Sequence, residues 1–212
     1  MIVHLAAQGT AAWQAARLGI PTASRFSDIL TPAKLEPSKS ADAYIDELVA
    51  DWLNGEAEDA FQGTHWTDRG HALEAKARAY FSLETGETVE SVGFVYRDEH
   101  RSVGCSPDGM IWRKGGDAGL ELKCPKGKTH QGYLRADELP SVYKMQVQGC
   151  MWVCDVSVWY FMSYHPQAPA LLVAVERDER TSKALDAHMP DFLGRLEYQK
   201  QWNLDRGAVP LP

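Results

Sequence analysis

The spacing of apolar residues changes character at Gly86, and that change limits the architectures this chain can adopt. From Trp66 to Leu83 the residues Leu73, Ala77, Tyr80 and Phe81 recur at helical spacing before Gly86 ends the run. Earlier segments carry the same signature. Helical patterns cover about Thr10 to Arg17 and Thr22 to Leu30, and a third starts at the cap residue Ser40 and stops at Gly55. Beyond Gly86, strand-length runs take over: Val89 to Tyr96, Val103 to Arg113 with a turn inside it, and Gly119 to Lys123, which Pro125 brings to a stop. A helix from about Ser141 to Val153 follows, then strands Val156 to Tyr164 and Leu171 to Glu176. A last helix runs from Glu179 towards Trp202, with Pro190 expected to kink it. This order of elements predicts an α/β fold, a central mixed β-sheet flanked by helices.

With 212 residues, 44% of them hydrophobic, the chain can bury one sizeable core. No internal repeat, low-complexity tract or linker divides it, so a single domain over residues 1–212 is expected. The apolar stretches around Met151 to Met162 and Ala170 to Val175 fall below the roughly 18 residues of a membrane span. The amino terminus has no basic segment followed by an apolar run and a cleavage site, so a cytoplasmic protein is expected. Cys105, Cys124, Cys150 and Cys154 form no CxxC pair, and Cys150 and Cys154 share one helical face, which favours ordinary buried thiols. None of the seven His stands at zinc-site spacing to another His or Cys, so any metal is expected on carboxylates. The net charge of -7 argues against non-specific coating of nucleic acid, because that affinity comes from Lys and Arg neutralising phosphates. It still permits a local basic groove.

The chemistry concentrates in two short segments. Alternate side chains of a strand face the same way, so in Gly119-Leu120-Glu121-Leu122-Lys123 the Glu and Lys share one face and the two Leu the other. An isolated Glu-x-Lys is usually a solvated edge, and Ser106-Pro107-Asp108-Gly109 is by itself an ordinary turn. Taken together, an Asp at one strand end and a Glu-x-Lys on the next can converge two carboxylates and an ammonium in one pocket. Hard oxygen ligands of this kind bind Mg²⁺ while leaving positions for water and phosphate, as phosphodiester hydrolysis requires. Lys123 can then orient or help deprotonate the attacking water. The pair of segments is the PD-(D/E)xK signature.

Around that signature stand WQAARLGIPTAS, RGHALEAKARAYF, YRDEHRSVGCSPDG, GLELKCP, YKMQVQGCMWV and VERDER, in this order. The set closely resembles the phage lambda exonuclease family of viral recombination nucleases, also called the YqaJ-like group. The resemblance covers most of the chain. It implies a restriction-endonuclease-like core with added helices. It further implies a Mg²⁺-dependent 5′ to 3′ exonuclease that degrades one strand of double-stranded DNA and leaves a 3′ single-stranded tail for recombination. Two Mg²⁺ ions are expected, with Mn²⁺ able to substitute. The implied partners are double-stranded DNA ends, two further copies of the chain in a ring-shaped homotrimer, and a single-strand annealing protein. The implied setting is a bacterial host cell, with the protein encoded by a phage or prophage.

The resemblance also assigns residues. Asp108, Glu121 and the backbone carbonyl of Leu122 would hold the metal ions, Lys123 would serve the nucleophilic water, and Glu74 and Gln146 would complete the site. Gln148 lies two residues beyond Gln146, so on a helix only one of the two can face the metals. Arg17, Ser24 and Ser106 match the pocket that receives a terminal 5′ phosphate, a suitable set of one guanidinium and two hydroxyls. Without the resemblance these three read as a helix-terminal charge, a cap and a turn residue. Trp66 lies where a neighbouring family side chain wedges between the strands of the duplex, although a Trp at a helix start is more often a core anchor. Two rival functions remain at this stage. One is a nuclease of the same fold that acts as an endonuclease or on single strands; the other is a non-catalytic module that binds DNA ends.

Overall fold

A computed structural model describes residues 1–57 and 65–211, the side chains of 65–72 excepted. Strand β1 (Ile2–His4) leads into α1 (Ala11–Arg17), whose first turn is closed by the Thr10 hydroxyl accepting from the Trp13 backbone N–H. The expected helix over Thr22 to Leu30 is instead a 3-10 turn, Ala23–Arg25, followed by the single turn α2 (Phe26–Ile29). Helix α3 (Ala41–Asn54) starts after Ser40, whose side chain makes no capping bond, and ends at Gly55 in the left-handed region with φ +68°. Helix α4 spans His65–Thr85.

The strand region departs from the sequence expectation in an informative way. Of Val89 to Tyr96 only β2 (Phe94–Tyr96) is a strand, and Glu90 makes an isolated bridge to Met110. Val103 to Arg113 divides into β3 (Gly104–Cys105) and β4 (Gly109–Ile111), and these belong to different sheets. Pro107 has no N–H to continue a ladder. The next residue, Asp108, donates its N–H to Leu120 O at 3.1 Å and so opens the second sheet. The small sheet is antiparallel in the order β1-β2-β3. The larger has the order β4-β5-β6-β7, where β5 is Ala118–Lys123, β6 Val158–Ser163 and β7 Leu171–Glu176.

Strands β5 and β6 are parallel while their outer neighbours are antiparallel, which makes this sheet mixed. A parallel pair needs a crossover. Here two helices supply it, α5 (Gly127–Ala136) and α6 (Ser141–Cys154). The sequence reading omitted α5, a short helix whose one buried residue is His130. Helix α7 (Glu179–Leu204) runs through Pro190 as one element. One core gathers α2, α3, α6 and α7 with the small sheet, and a second joins Ala77 and Phe81 of α4 to Leu120 and Leu122. The larger sheet thus carries apolar packing on its α4 face and presents Glu121 and Lys123 to the α6 face.

Among the described residues, no helix is long and apolar enough to cross a membrane. No disulfide joins the four cysteines. Cys105, Cys150 and Cys154 are buried, with the sulfurs of Cys105 and Cys154 3.6 Å apart.

Candidate active site

Strand β5 is central to its sheet, so the Glu-x-Lys face is not a solvated edge: Glu121 is only 2% exposed. Glu121 Oε1 receives two donors, the Lys123 ammonium at 2.5 Å and the Gln146 amide at 2.7 Å from α6. Gln148 faces elsewhere, donating to Glu176 O and accepting from the Asp178 N–H. The two glutamines therefore face different ways, as helical geometry required. Lys123 Nζ also lies 5.1 Å from the centre of the Tyr143 ring, which stacks on Phe161 of β6.

Asp108 meets this group from the turn between the sheets. Its Oδ2 accepts from the Leu122 N–H at 2.6 Å, and its own carbonyl receives both Nε and a terminal nitrogen of Arg78 from α4, at 3.1 and 2.8 Å. Glu74 stands on the same helix, close enough to act electrostatically on Asp108. Burial pushes the Asp108 carboxyl up to about 8, Glu121 adds to this, and Lys123 and the Leu122 N–H oppose it. For Lys123, burial works against the charge, yet Glu121 and Asp108 outweigh it and hold the ammonium above the ordinary lysine value.

One feature tests the fit of a cation. Glu121 Oε2 is buried and has no hydrogen-bond partner. A buried carboxylate oxygen left in this state is costly, and a divalent ion would satisfy it. Among the described residues no three His, Cys, Asp or Glu side chains are grouped to hold a metal. The Lys123 carbonyl accepts from the Tyr164 N–H on the β6 side. Strand alternation turns the Leu122 carbonyl to the opposite edge, the one from which Asp108 approaches. Two carboxylates and a carbonyl, completed by water, form an oxygen set suited to Mg²⁺.

The second assembly is a cavity of about 100 Å³. Arg17 from α1, Ser24 from the 3-10 turn and Ser106 from the turn before Asp108 all line it, and so does Gln146. Close packing makes this convergence feasible. A Cβ on Gly149 would lie 2.6 Å from the Phe26 ring, so the absent side chain lets α6 settle against the segment that carries Ser24. Cys105 and Cys150 also line the cavity; burial, with Cys150 and Cys154 adding to it, raises the Cys105 thiol, while for Cys150 the bond with Cys105 lowers the thiol and burial and the nearby Glu121 carboxylate raise it, with a net rise. Burial pulls the Arg17 guanidinium below its ordinary value while Tyr44 and Asp51 pull back, so an arriving anion would be favoured there.

Every candidate from the sequence whose side chain is described thus falls at one of two adjoining places. Trp66 lies in the first turn of α4, and its side chain is outside the described residues. Sequence reasoning missed Trp13 and Thr22 in the cavity wall, Arg78 behind Asp108 and Tyr143 beside Lys123. Two of these carried a signal: Trp13 precedes Arg17, and Glu74 precedes Arg78, at the four-residue spacing of a shared helix face.

The chain matches the YqaJ-like viral recombinase domain over residues 12–157. Among solved structures it is similar to LHK-Exo, an alkaline exonuclease from Laribacter hongkongensis, with 30% identity and a TM-score of 0.81, covering 94% of this chain and 98% of that one. A crystal structure of LHK-Exo in complex with dAMP gives a TM-score of 0.80 at the same identity and coverage. A phage related exonuclease from Haemophilus somnus 129PT shares the fold at 16% identity, with a TM-score of 0.58 over 85% of this chain and 96% of that one. A comparison with curated proteins gives no match.

Proposed function

The chain belongs to the YqaJ-like viral recombinase family, and from this we propose that it is a Mg²⁺-dependent exonuclease. It would degrade the 5′ strand of double-stranded DNA and leave a 3′ tail for recombination by strand annealing. The observation that carries this reading is the meeting of Arg17, Ser24 and Ser106 in one cavity with Gln146, whose amide holds Glu121. A receptor for a terminal phosphate thereby adjoins a site for cutting.

Asp108, Glu121 and the Leu122 carbonyl would hold two Mg²⁺ ions, with Mn²⁺ able to substitute. The bound ions would supply Lewis-acid activation of water and of the scissile phosphate. The remaining work belongs to the chain itself. Lys123, whose ammonium Glu121 and Asp108 favour in the metal-free protein, orients the nucleophilic water and offsets charge on the phosphate. Gln146 fixes the Glu121 carboxylate, and Glu74 adds negative charge beside Asp108. Arg17, Ser24 and Ser106 bind the 5′ phosphate, and this sets which strand lies over the cutting site. The proposal extends to a homotrimer, a single-strand annealing protein as partner, and action in the cytoplasm of a bacterial host.

The test is digestion of a linear duplex labelled at each end type, with closed circular DNA beside it. Loss of the 5′ label with the circle left intact is expected, and only with Mg²⁺ present. Duplexes bearing a 5′ phosphate should be degraded faster than those with a 5′ hydroxyl, and Arg17→Ala should erase most of that difference. Cleavage of the circle would support an endonuclease instead. A ratio near one for the wild type would remove the end pocket.

A further inference from the structure

The cavity holds one residue whose geometry organises two of its phosphate-binding groups. Trp13 projects from α1, its indole Nε1 donating to Ser106 Oγ at 3.0 Å and to Gly93 O at 3.1 Å. Its ring lies under the Arg17 guanidinium, with Cζ 4.6 Å from the ring centre. The two residues stand one helical turn apart on α1, so the stacking is built into the helix. An indole nitrogen can only donate. In its contact with Ser106 the hydroxyl must therefore accept, and the Ser106 O–H proton is turned away from Trp13. Among the described residues no acceptor takes that proton, and Ser106 lines the cavity.

We propose that Trp13 is a positioning residue for the terminal phosphate: one ring holds Arg17 by its face, and its N–H sets Ser106 as a donor towards the incoming anion. A serine free to rotate would present lone pairs to the phosphate for part of the time, and a dianion disfavours them. A guanidinium without its platform would sample other rotamers before binding. Both costs are removed in advance by Trp13, which is how preorganisation raises affinity without adding a contact. Its second bond, to Gly93 O, anchors the indole to the segment just before β2, so the orientation is fixed from outside the pocket. This inference rests on the end-pocket reading above, and it concerns a residue that itself need not touch the phosphate.

The experiment compares wild type, Trp13→Phe and Trp13→Leu on duplexes with a 5′ phosphate and with a 5′ hydroxyl, measuring kcat and KM on each. Trp13→Phe keeps a ring beneath Arg17 and loses only the N–H, so the ratio of kcat/KM on phosphorylated to unphosphorylated ends should fall by about threefold to tenfold, mainly through KM. Trp13→Leu loses both functions and should lower the ratio further, towards that of Arg17→Ala. Equal falls on both substrates, with the ratio kept at its wild-type value, would mean that Trp13 only supports the fold, and the inference would be overturned. If Trp13→Leu does not fold, the ring-preserving Trp13→Phe decides alone. A wild-type ratio near one removes the end pocket and this inference with it, whereas a high wild-type ratio unaltered in Trp13→Phe removes the inference and leaves the pocket standing.

Discussion

Gln146 and Glu121 are joined by a 2.7 Å hydrogen bond, and Gln146 also lines the cavity that holds Arg17, Ser24 and Ser106. A single side chain on α6 thus touches both this cavity and the carboxylate at the centre of the sheet. Replacing it by Leu should loosen Glu121, because Oε1 then retains only Lys123. Outer-shell partners of this kind are commonly worth about 10-fold to 100-fold in metal affinity. A titration of initial rate against Mg²⁺ should shift to higher concentration in Gln146→Leu, and an unshifted curve would contradict the role given to it.

Lys123→Ala should abolish most hydrolysis while the protein remains folded. The ammonium is held by Glu121 and Asp108 at the sheet surface and contributes to no apolar core. Loss of an electrostatic group of this type lowers rate by about 10² to 10³. Single-turnover cleavage and circular dichroism measured on the same sample make the comparison. An active variant, or one that is inactive because it is unfolded, would defeat the assignment.

Arg78 donates twice to the Asp108 carbonyl. In Arg78→Met the turn carrying Ser106 and Asp108 loses those donors, so kcat should drop by roughly tenfold through misplacement of Asp108. Arg78→Lys should recover part of the loss, since one donor can be restored but the fork cannot. A fall confined to KM for DNA, with kcat intact, would point to a phosphate contact instead.

The raised Asp108 carboxyl makes a prediction about pH. Its folded value, about 8, lies above the 3.8 of an ordinary Asp, so between those limits the metal-free folded protein binds more protons than the unfolded chain. Stability contributed by this group should therefore fall as pH rises from about 4 to about 8, the opposite of a salt-bridged carboxylate. On the proposed reading Mg²⁺ would replace the proton, so its stabilising effect should grow over the same window. Thermal melts in chelator and in Mg²⁺ across that range read both trends. A chelated wild type whose Tm follows the same course with pH as chelated Asp108→Asn would show that Asp108 makes no such contribution.

The local chemistry was legible in the sequence because it depends on periods of two and of 3.6 residues. Alternation placed Glu121 and Lys123 on one face and Leu120 and Leu122 on the other, and helical geometry separated Gln146 from Gln148. The stop at Gly55 and the strand end before Pro125 rest on backbone constraints of single residues. Resemblance to a family supplied the identities of Arg17, Ser24 and Ser106, which no period in the chain relates. Only the tertiary structure brought those three into one cavity, through the approach of α6 to Phe26 that Gly149 permits. It also divided β3 from β4 between two sheets and made β5 a central strand. The one buried side chain of α5 is a histidine, His130, held by Ser163 and the Pro169 carbonyl across the fold, a partnership no local pattern announces. The division has a physical cause. Facing and turning are settled by neighbours in the chain, whereas burial, sheet partnership and the closing of a pocket are settled by residues far apart in sequence whose packing no local pattern encodes.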